Sequence, residues 1–346
     1  MRILITGGAG FLGLHLTSYL SRKNHKLTLV DIQEFSKNEY TADSKKEVCD
    51  VRSKRQLDSL IKGQDIIIHA AAALPLWKKE DIYTTNIDGT KNVLELGKKH
   101  KIKRVIYISS TAVYGVPKKH PILEDDPRVG VGAYGKTKIL AEDLCFGEIK
   151  KGLKVTIIRP KTFVGTGRLG VFEILFDWIH DGKKIPVLGN GGNRYQLLDV
   201  DDLVEAIYLF SLNNKNSYNG AFNIGAEKFE TVKADLEELF RFAKSGSGIF
   251  PTPAFIVKKA LWFFEKIGVS PLYQWVYDTA DKDSFVSIEK IKKTLNWKPR
   301  YSNTEALIKS YSWYLKNYKK IKSRTTGVTH TTGWKQGILA LFKRFA

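Results

Sequence analysis

The sequence predicts an α/β fold in which a doubly wound parallel sheet is followed by a smaller, mostly helical lobe. Short runs of branched apolar residues alternate with segments of helical periodicity through residues 2–224. Strands that are apolar along their whole length and separated by helices are typical of parallel sheets buried on both faces. A glycine-rich turn directly follows the first strand, and helical periodicity dominates after about residue 230. These observations set the fold class.

The predicted elements follow in chain order from the apolar pattern. Strands are predicted over residues 2–6, 26–31, 65–69, 104–109, 154–158 and 221–224. Helices are predicted over residues 11–22, 80–99, 133–150, 171–180 and 201–212. The strand at 221–224 is expected to return to the main sheet after the chain has left it at residue 159.

The chain divides into two lobes and a tail. Residues 1–158, with 195–226 returning to them, form the predicted sheet domain. Residues 159–194 and 227–320 form the second lobe, which we expect to hold the substrate. Residues 321–333 are polar and rich in Thr and Gly, which predicts a linker. Residues 334–346 are predicted to form a basic amphipathic helix.

The composition narrows the function classes. The chain has 346 residues, of which 43% are hydrophobic, and its net charge is +20. No nucleic-acid-binding motif accompanies this charge, so nucleic acid is not expected as a partner. Cys49 and Cys145 are the two cysteines, which argues against a disulfide framework or a cysteine metal site and favours a reducing compartment. With no signal peptide or membrane-spanning run, the expected location is cytoplasmic.

A glycine loop follows the first strand, at residues 6–13. Gly7, Gly10 and Gly13 are spaced for a tight turn, a close backbone approach to a pyrophosphate and close packing of helix on strand. The following helix would present the backbone N–H groups of Phe11, Leu12 and Gly13 to the phosphates. A plain turn before a helix is the alternative, but the strand–loop–helix context favours a Rossmann dinucleotide site.

Acidic residues near the next two turns favour NAD as the cofactor. Asp31 ends the second strand, where a carboxylate accepts hydrogen bonds from the ribose hydroxyls and repels a 2′-phosphate. NAD is therefore expected in preference to NADP. Asp50 and Val51 are expected to lie beside the adenine.

A tyrosine and a lysine are placed for proton transfer at the start of a helix. Tyr134 and Lys138 are one helical turn apart and share a face. A nearby ammonium favours the phenolate and lowers the pKa of a tyrosine, which then relays a proton. Ser110 follows a strand at the edge where parallel sheets bind ligands, and its hydroxyl is expected to hold the reacting oxygen.

These residues resemble the extended short-chain dehydrogenase/reductase family, the NAD-dependent epimerase/dehydratase group, over roughly residues 1–318. The matching motifs are residues 6–13, His69-Ala70-Ala71-Ala72, Asn86 with Gly89-Thr90, residues 109–115, residues 134–138, Arg159-Pro160 and Val200-Asp201-Asp202. The resemblance implies that Tyr134 is the general acid/base, that Lys138 lowers its pKa and holds the nicotinamide ribose, and that Ser110 orients the substrate. Ala70 and Ala71 would line the cofactor.

Two motif residues are expected to be structural. His69 ends a buried strand and is predicted to be a hydrogen-bonded core histidine. Asn86 would lie on a helix near the active site, where a structural role is at least as plausible as a catalytic one.

The family leaves redox, epimerisation and dehydration open. Sugar dehydratases resembling this chain carry an Asp-Glu pair where Thr111 and Ala112 stand, so dehydration is not expected. Nucleotide-sugar epimerases carry Asn where Thr162 stands and Arg where Tyr195 stands, with Arg194 one residue earlier in this chain.

The tentative substrate-binding residues are Thr111, Thr162, Arg168 and Arg194, of which the two arginines would clamp a phosphate. The degraded sugar signature and an aromatic second lobe favour the 3β-hydroxysteroid dehydrogenase-like branch, an oxidoreductase for an apolar, sterol-like or lipid-derived substrate. A nucleotide-sugar epimerase with tightly bound NAD is the alternative, and an NAD-sensing regulatory protein is the non-enzyme alternative.

The tail suggests a partner surface. Its apolar residues fall on one helix face and its basic residues lie off that face, which is typical of a helix at an anionic membrane surface. Docking on the second lobe is the competing explanation. A homodimer is also expected from the resemblance.

Overall fold

A seven-stranded parallel sheet forms the centre of the protein. The computed structural model describes residues 1–36, 39–40, 43–75, 77–167, 170–266, 274–323 and 343, and for 264–266, 275 and 276 it describes the backbone alone. The strands are β1 (Arg2–Thr6), β2 (Lys26–Asp31), β3 (Lys45–Val48), β4 (Ile66–His69), β5 (Arg104–Ile108), β6 (Val155–Pro160), β7 (Phe163–Val164), β8 (Ile185–Leu188), β9 (Leu198–Asp199), β10 (Gly220–Ile224) and β11 (Ile249–Thr252).

Helices cover the sheet and build the second lobe. They are α1 (Phe11–Ser21), α2 (Lys54–Ile61), α3 (Lys79–Tyr83), α4 (Thr90–Lys99), α5 (Gly132–Lys150), α6 (Val171–His180), α7 (Val200–Leu212), α8 (Val232–Ala243), α9 (Ala254–Lys266), α10 (Gln274–Thr279), α11 (Glu289–Leu295) and α12 (Asn303–Lys322). A π-helical segment, Thr84–Gly89, joins α3 to α4, and a 3-10 turn, Thr111–Tyr114, follows β5.

The strand order is β10-β6-β5-β4-β1-β2-β3, with every neighbouring pair parallel. One apolar core packs α1, α7 and α11 on one face of the sheet, and a second core packs α2, α4 and α5 on the other. The predicted doubly wound fold is therefore confirmed. The direction of winding reverses between β1 and β4, and open parallel sheets bind ligands beyond the strand ends at such a point.

The second lobe has its own core between α6, α8 and α12. The aromatic side chains of Phe176, Trp178 and Tyr314 are buried there, so these residues are core rather than pocket. Outside the main sheet, β8 pairs with β11 and β7 pairs with β9.

Some predicted boundaries differ from the structure. Residues 286–297 were assigned to the second lobe, but Val286, Ile291 and Trp297 pack in the core of the main sheet. The linker was expected from residue 321, but α12 continues to Lys322. The predicted tail helix lies outside the described residues, apart from Lys343.

No helix in the described part of the chain is long and apolar enough to cross a membrane.

Candidate active site

The loop between β1 and α1 requires its glycines. Gly7 has a φ of +72°, and a Cβ built on it would lie 2.7 Å from the backbone nitrogen of Ala71. A Cβ on Gly13 would lie 2.4 Å from the carbonyl oxygen of Gly7. Gly10 precedes α1, whose start carries no side-chain cap and no acidic residue in its first turn. The start of α1 thus turns the positive end of the helix dipole toward an anionic group such as a pyrophosphate.

Phe11 and Leu12 have buried side chains, so their cofactor contact, which stays a prediction, would use the backbone. Both side chains are buried in the core, and the Phe11 ring stacks on Phe163 at a centroid distance of 5.9 Å. The sequence motif therefore combines two tasks at these positions: the backbone faces the loop, and the side chains fix α1 on the sheet.

Asp31 is joined to the glycine loop. One carboxylate oxygen accepts a hydrogen bond from the backbone N–H of Ala9 at 3.0 Å, and the other accepts from Gln33 at 3.0 Å. Burial raises the pKa of Asp31, and these backbone N–H groups oppose that rise. The carboxylate is thus held beside the loop, as ribose recognition requires.

Asp50 and Val51 are occupied by other contacts. The Asp50 carboxylate accepts from Arg52 at 2.8 Å, and Arg52 also pairs with Asp81. Val51 is buried and packs so closely on Gly89 that a Cβ there would lie 2.6 Å from it. The adenine-contact assignment of this pair stays a prediction.

The residues after β4 lie against the loop. The N–H of Ala70 donates to the carbonyl of Thr6 at 3.1 Å, and the N–H of Ala71 donates to its hydroxyl at 3.2 Å. His69 is buried between the hydroxyls of Thr6, at 2.7 Å, and Thr90, at 3.1 Å. Burial lowers the pKa of His69 to about 3, so the ring is neutral. The prediction of a hydrogen-bonded core histidine is confirmed.

Asn86 connects the segment after β4 to α5. Its side-chain oxygen accepts from the N–H of Ala73 at 2.9 Å, and its nitrogen donates to the hydroxyl of Thr137 at 3.1 Å. Because all these groups are buried, Asn86 fixes the loop next to the helix that carries Tyr134. These contacts match the structural role that was one of the two expected for Asn86.

The catalytic candidates converge where β5 ends and α5 begins. Lys138 is buried, its Nζ donates to the carbonyl of Ile108 at 2.8 Å, and it lies 5.7 Å from the centroid of the Tyr134 ring. Burial lowers the pKa of Lys138 to about 8, and Glu142 opposes that decrease. An ammonium in this position favours the phenolate of the tyrosine.

Ser110 stands across from the start of α5. Its Oγ accepts from the N–H of Ala112 at 3.1 Å and caps the 3-10 turn, which leaves the hydroxyl proton for another acceptor. That turn packs on α5 so closely that a Cβ on Gly135 would lie 3.0 Å from the carbonyl of Ala112. The turn and the helix thus bring Ser110 and Tyr134 to one side of the sheet edge.

A buried charge network beneath the site is absent from the sequence predictions. Glu142 is one turn after Lys138 on α5 and is 0% exposed. It accepts from Ser109 at 2.6 Å, from Arg159 at 2.8 and 2.7 Å, and from Arg128 at 3.2 Å. An acidic residue at helical spacing from Lys138 was the available signal.

The tentative substrate residues have other partners where the structure describes them, and their substrate contacts stay a prediction. Thr111 is buried and its hydroxyl donates to the carbonyl of Pro160 at 3.3 Å, so it joins the end of β5 to the end of β6. Arg194 lies over the rings of Phe229, at 4.7 Å, and Phe285, at 4.9 Å. Arg168 lies outside the described residues.

Thr162, Tyr195 and Lys161 lie close together near the end of β6. The Thr162 hydroxyl lies 3.5 Å from the Tyr195 hydroxyl. Lys161, which the sequence predictions omitted, is buried with its Nζ 4.8 Å from the centroid of the Tyr195 ring.

Comparison with known proteins finds one matching family model and several similar proteins. The sequence model described as NAD dependent epimerase/dehydratase family matches residues 3–225. Uncharacterized protein y4nG of Sinorhizobium fredii is 33% identical, over 98% of this chain and 84% of that protein. UDP-N-acetyl-alpha-D-glucosaminuronate decarboxylase of Bacillus cytotoxicus is 29% identical, over 90% and 97%.

Solved structures agree with the fold. The structure of UDP-glucose 4-epimerase from Thermotoga maritima superposes with a TM-score of 0.77 over 92% of this chain and 100% of that one, at 23% identity. At that identity the likeness establishes the architecture alone.

Proposed function

This chain belongs to the NAD-dependent epimerase/dehydratase family, and from that premise we propose that it acts on a nucleotide sugar through transient oxidation. NAD is its cofactor. The proposal rests on the convergence of Ser110, Tyr134 and Lys138, together with relatives whose names specify nucleotide-sugar reactions. These relatives favour the epimerase alternative over the sterol-like substrate that the aromatic second lobe had favoured.

The residues around the glycine loop fit the dinucleotide. A Cβ at Gly7 or Gly13 would collide with backbone, so the loop keeps the flat surface that a pyrophosphate needs. Asp31 would hold the adenosine ribose, and Lys138 the nicotinamide ribose. When bound, NAD supplies a hydride acceptor that later returns the hydride.

The chain's own residues then handle the proton. Tyr134, as the phenolate favoured by Lys138, takes the proton from a substrate hydroxyl and gives it back at the end of the cycle. Ser110 donates a hydrogen bond to the same substrate oxygen, which steadies the carbonyl formed there. Ile108 holds Lys138 in place through its carbonyl.

Epimerisation needs one hydroxyl to be oxidised to a ketone and that ketone to be reduced from its opposite face, with a single proton transferred at the hydroxyl oxygen. Elimination would also need an acid and a base after Ser110, where Thr111 and Ala112 stand. Thr111 is already hydrogen-bonded in the core, so we propose epimerisation in preference to dehydration.

An oxidoreductase of the 3β-hydroxysteroid dehydrogenase-like branch is the second candidate function. One observation favours it: α9 in the second lobe exposes Phe255 by 70% and Ile256 by 65%. An apolar surface of this kind suits contact with a lipid or a lipid-derived substrate. The regulatory alternative is less favoured because Ser110, Tyr134 and Lys138 are all present.

Product analysis separates the two candidates. Purified protein is incubated with UDP-glucose, UDP-galactose or UDP-glucuronate, and the sugars are resolved by chromatography while NADH absorbance is followed. A parallel set contains hydrophobic alcohols and ketones. Sugar epimerisation without net NADH is the expected result. Net NADH from a hydrophobic alcohol, with every sugar unchanged, would support the second candidate.

Replacing Tyr134 by phenylalanine tests the chemistry. Tyr134→Phe removes the proton relay and should lower turnover by roughly 10²–10⁴-fold, while NAD affinity changes little. Tyr19→Phe on α1 is the matched control and should retain activity. Near-normal turnover in Tyr134→Phe would show that another group moves the proton.

A further inference from the structure

Lys161 is a buried lysine that the sequence-predicted site did not include. It follows β6 at the carboxyl edge of the sheet, and 1% of it is exposed. Its Nζ donates to the hydroxyl of Ser284 at 2.7 Å. No carboxylate in the described ranges forms an ion pair with it, and burial lowers its pKa to about 7.

Such a lysine is costly to keep in the fold. An ammonium has three N–H donors, and burying it without an opposite charge is strongly unfavourable unless other groups compensate. Arg104 is also buried without a carboxylate, but it donates to three oxygen acceptors. Lys161 has one acceptor, Ser284, so two of its N–H donors remain for another partner.

Its surroundings are the positions at which this chain departs from nucleotide-sugar epimerases. At the position of Tyr195 those enzymes carry an arginine, and at the position of Thr162 they carry an asparagine. The Nζ of Lys161 lies 4.8 Å from the Tyr195 ring, and Thr162 lies beside the Tyr195 hydroxyl. The amino group of Lys161 thus lies next to Tyr195, the position at which this chain lacks the arginine.

The lysine is also linked to the catalytic edge of the sheet. Pro160, its neighbour in sequence, accepts a hydrogen bond from Thr111, the neighbour of Ser110. Lys161 and Ser110 therefore follow adjacent strands, β6 and β5, at the same edge. Because parallel strands end together at the ligand-binding edge, a substrate held at Ser110 extends over the end of β6.

We propose that Lys161 recognises an anionic oxygen group of the substrate, either a sugar carboxylate or a phosphate. The inference rests on the proposed function and specifies its substrate further. The two free N–H donors match two oxygens of one such group, and the anion supplies the missing counter-charge. Because so little of Lys161 is exposed, the anion reaches Nζ only when the segment that carries Ser284 moves.

Ligand binding to matched lysine variants tests this role. Lys161→Met removes the charge at similar volume, and Lys290→Met is the control because that lysine also meets one carbonyl, of Ala221, and one ring, of Phe222. Affinities for UDP, UDP-glucose and UDP-glucuronate are measured by calorimetry. Lys161→Met should weaken binding of the recognised anion by about 10- to 100-fold, and Lys290→Met should leave it unchanged.

The ligand series distinguishes the two sources of the anion. Weakening confined to UDP-glucuronate supports a sugar carboxylate, and equal weakening of all three ligands supports the phosphate. Unchanged affinities in Lys161→Met overturn the inference while the proposed function stands. Thermal melting shows that the variant is folded, and Lys161→Gln, which keeps a donor for Ser284, repeats the test if it is not.

Failure of the proposed function is recognised separately. If the wild-type protein binds none of the UDP compounds, a nucleotide-sugar function is wrong. Binding of inorganic pyrophosphate and of free glucuronate then decides the role of Lys161. Binding that disappears in Lys161→Met supports anion recognition, and no lysine-dependent binding overturns it.

Discussion

Replacing Glu142 by glutamine should destabilise the protein more than any surface charge change on the same helix. Glu142 is 0% exposed and joins Ser109, Arg128 and Arg159 beneath the catalytic residues. The substitution keeps the shape of the side chain but removes its charge. Arg159, which is also buried, then loses the carboxylate that binds it through two nitrogens.

The expected magnitude follows from that unpaired guanidinium. Removing one partner of a buried ion pair costs about 3–5 kcal/mol. Arg159 keeps hydrogen bonds to the Tyr114 hydroxyl, at 2.7 Å, and to the Glu124 carbonyl, at 2.8 Å, so the lower end of this range is expected. A loss of about 3 kcal/mol corresponds to a melting temperature roughly 4 °C lower in a protein of 346 residues.

Urea unfolding with saturating NAD measures the change, and Asp143→Asn is the matched control. Asp143 is the next residue on α5, shares Arg128 as its partner at 2.7 Å, and has a side chain that is 51% exposed. An exposed pair of this kind contributes less than about 1 kcal/mol. Equal losses in the two variants would refute the reasoning, because burial would then not decide the cost.

Two predictions remain. Asp31→Ala should narrow the preference for NAD over NADP, measured by titration with each dinucleotide, and equal binding of both by the wild-type protein would contradict the ribose assignment. Lys343 pairs with Asp177 on α6 and with Asp181, which directly follows α6, and this favours docking of the tail over the membrane helix expected from the sequence. A chain ending at Ser323 should therefore melt at a lower temperature and sediment with anionic liposomes no differently, whereas tail-dependent sedimentation would support the membrane helix.

The main-sheet strands with apolar sequence patterns were predictable, and the edge strand β3 was not. β1, β2 and β4 are apolar along their length because both faces of the sheet are covered. β3 has the sequence Lys-Lys-Glu-Val and pairs with β2 alone, so its outer side needs no apolar pattern. Because Lys45, Lys46 and Glu47 are charged, β3 has no apolar pattern, and it escaped prediction for that reason, whereas the other edge strand, β10, is apolar and was predicted.

Tertiary packing decided what the sequence left unpredicted in the site. The glycine loop and the Tyr134–Lys138 spacing are local, so the motifs located them. Whether Thr111 faces a substrate or Pro160 depends on the approach of β6, which no local pattern records. Arg194, whose phosphate contact stays a prediction, lies over two rings, one of them from a residue distant in sequence, Phe285.

The buried Arg and Lys side chains differ in their hydrogen-bond acceptors, and this difference indicates function better than burial does. Arg104 donates to three neutral oxygens while its Nε has no partner in the described part of the chain, and Arg159 pairs with Glu142. Lys138 and Lys161 each donate to a single acceptor. The fold gains nothing from an ammonium with unused donors, and an apolar side chain of similar size would often be more stable. Because both lysines lie at the carboxyl edge of the sheet, the missing acceptors are best supplied by bound ligands, the nicotinamide ribose for one and the substrate anion for the other.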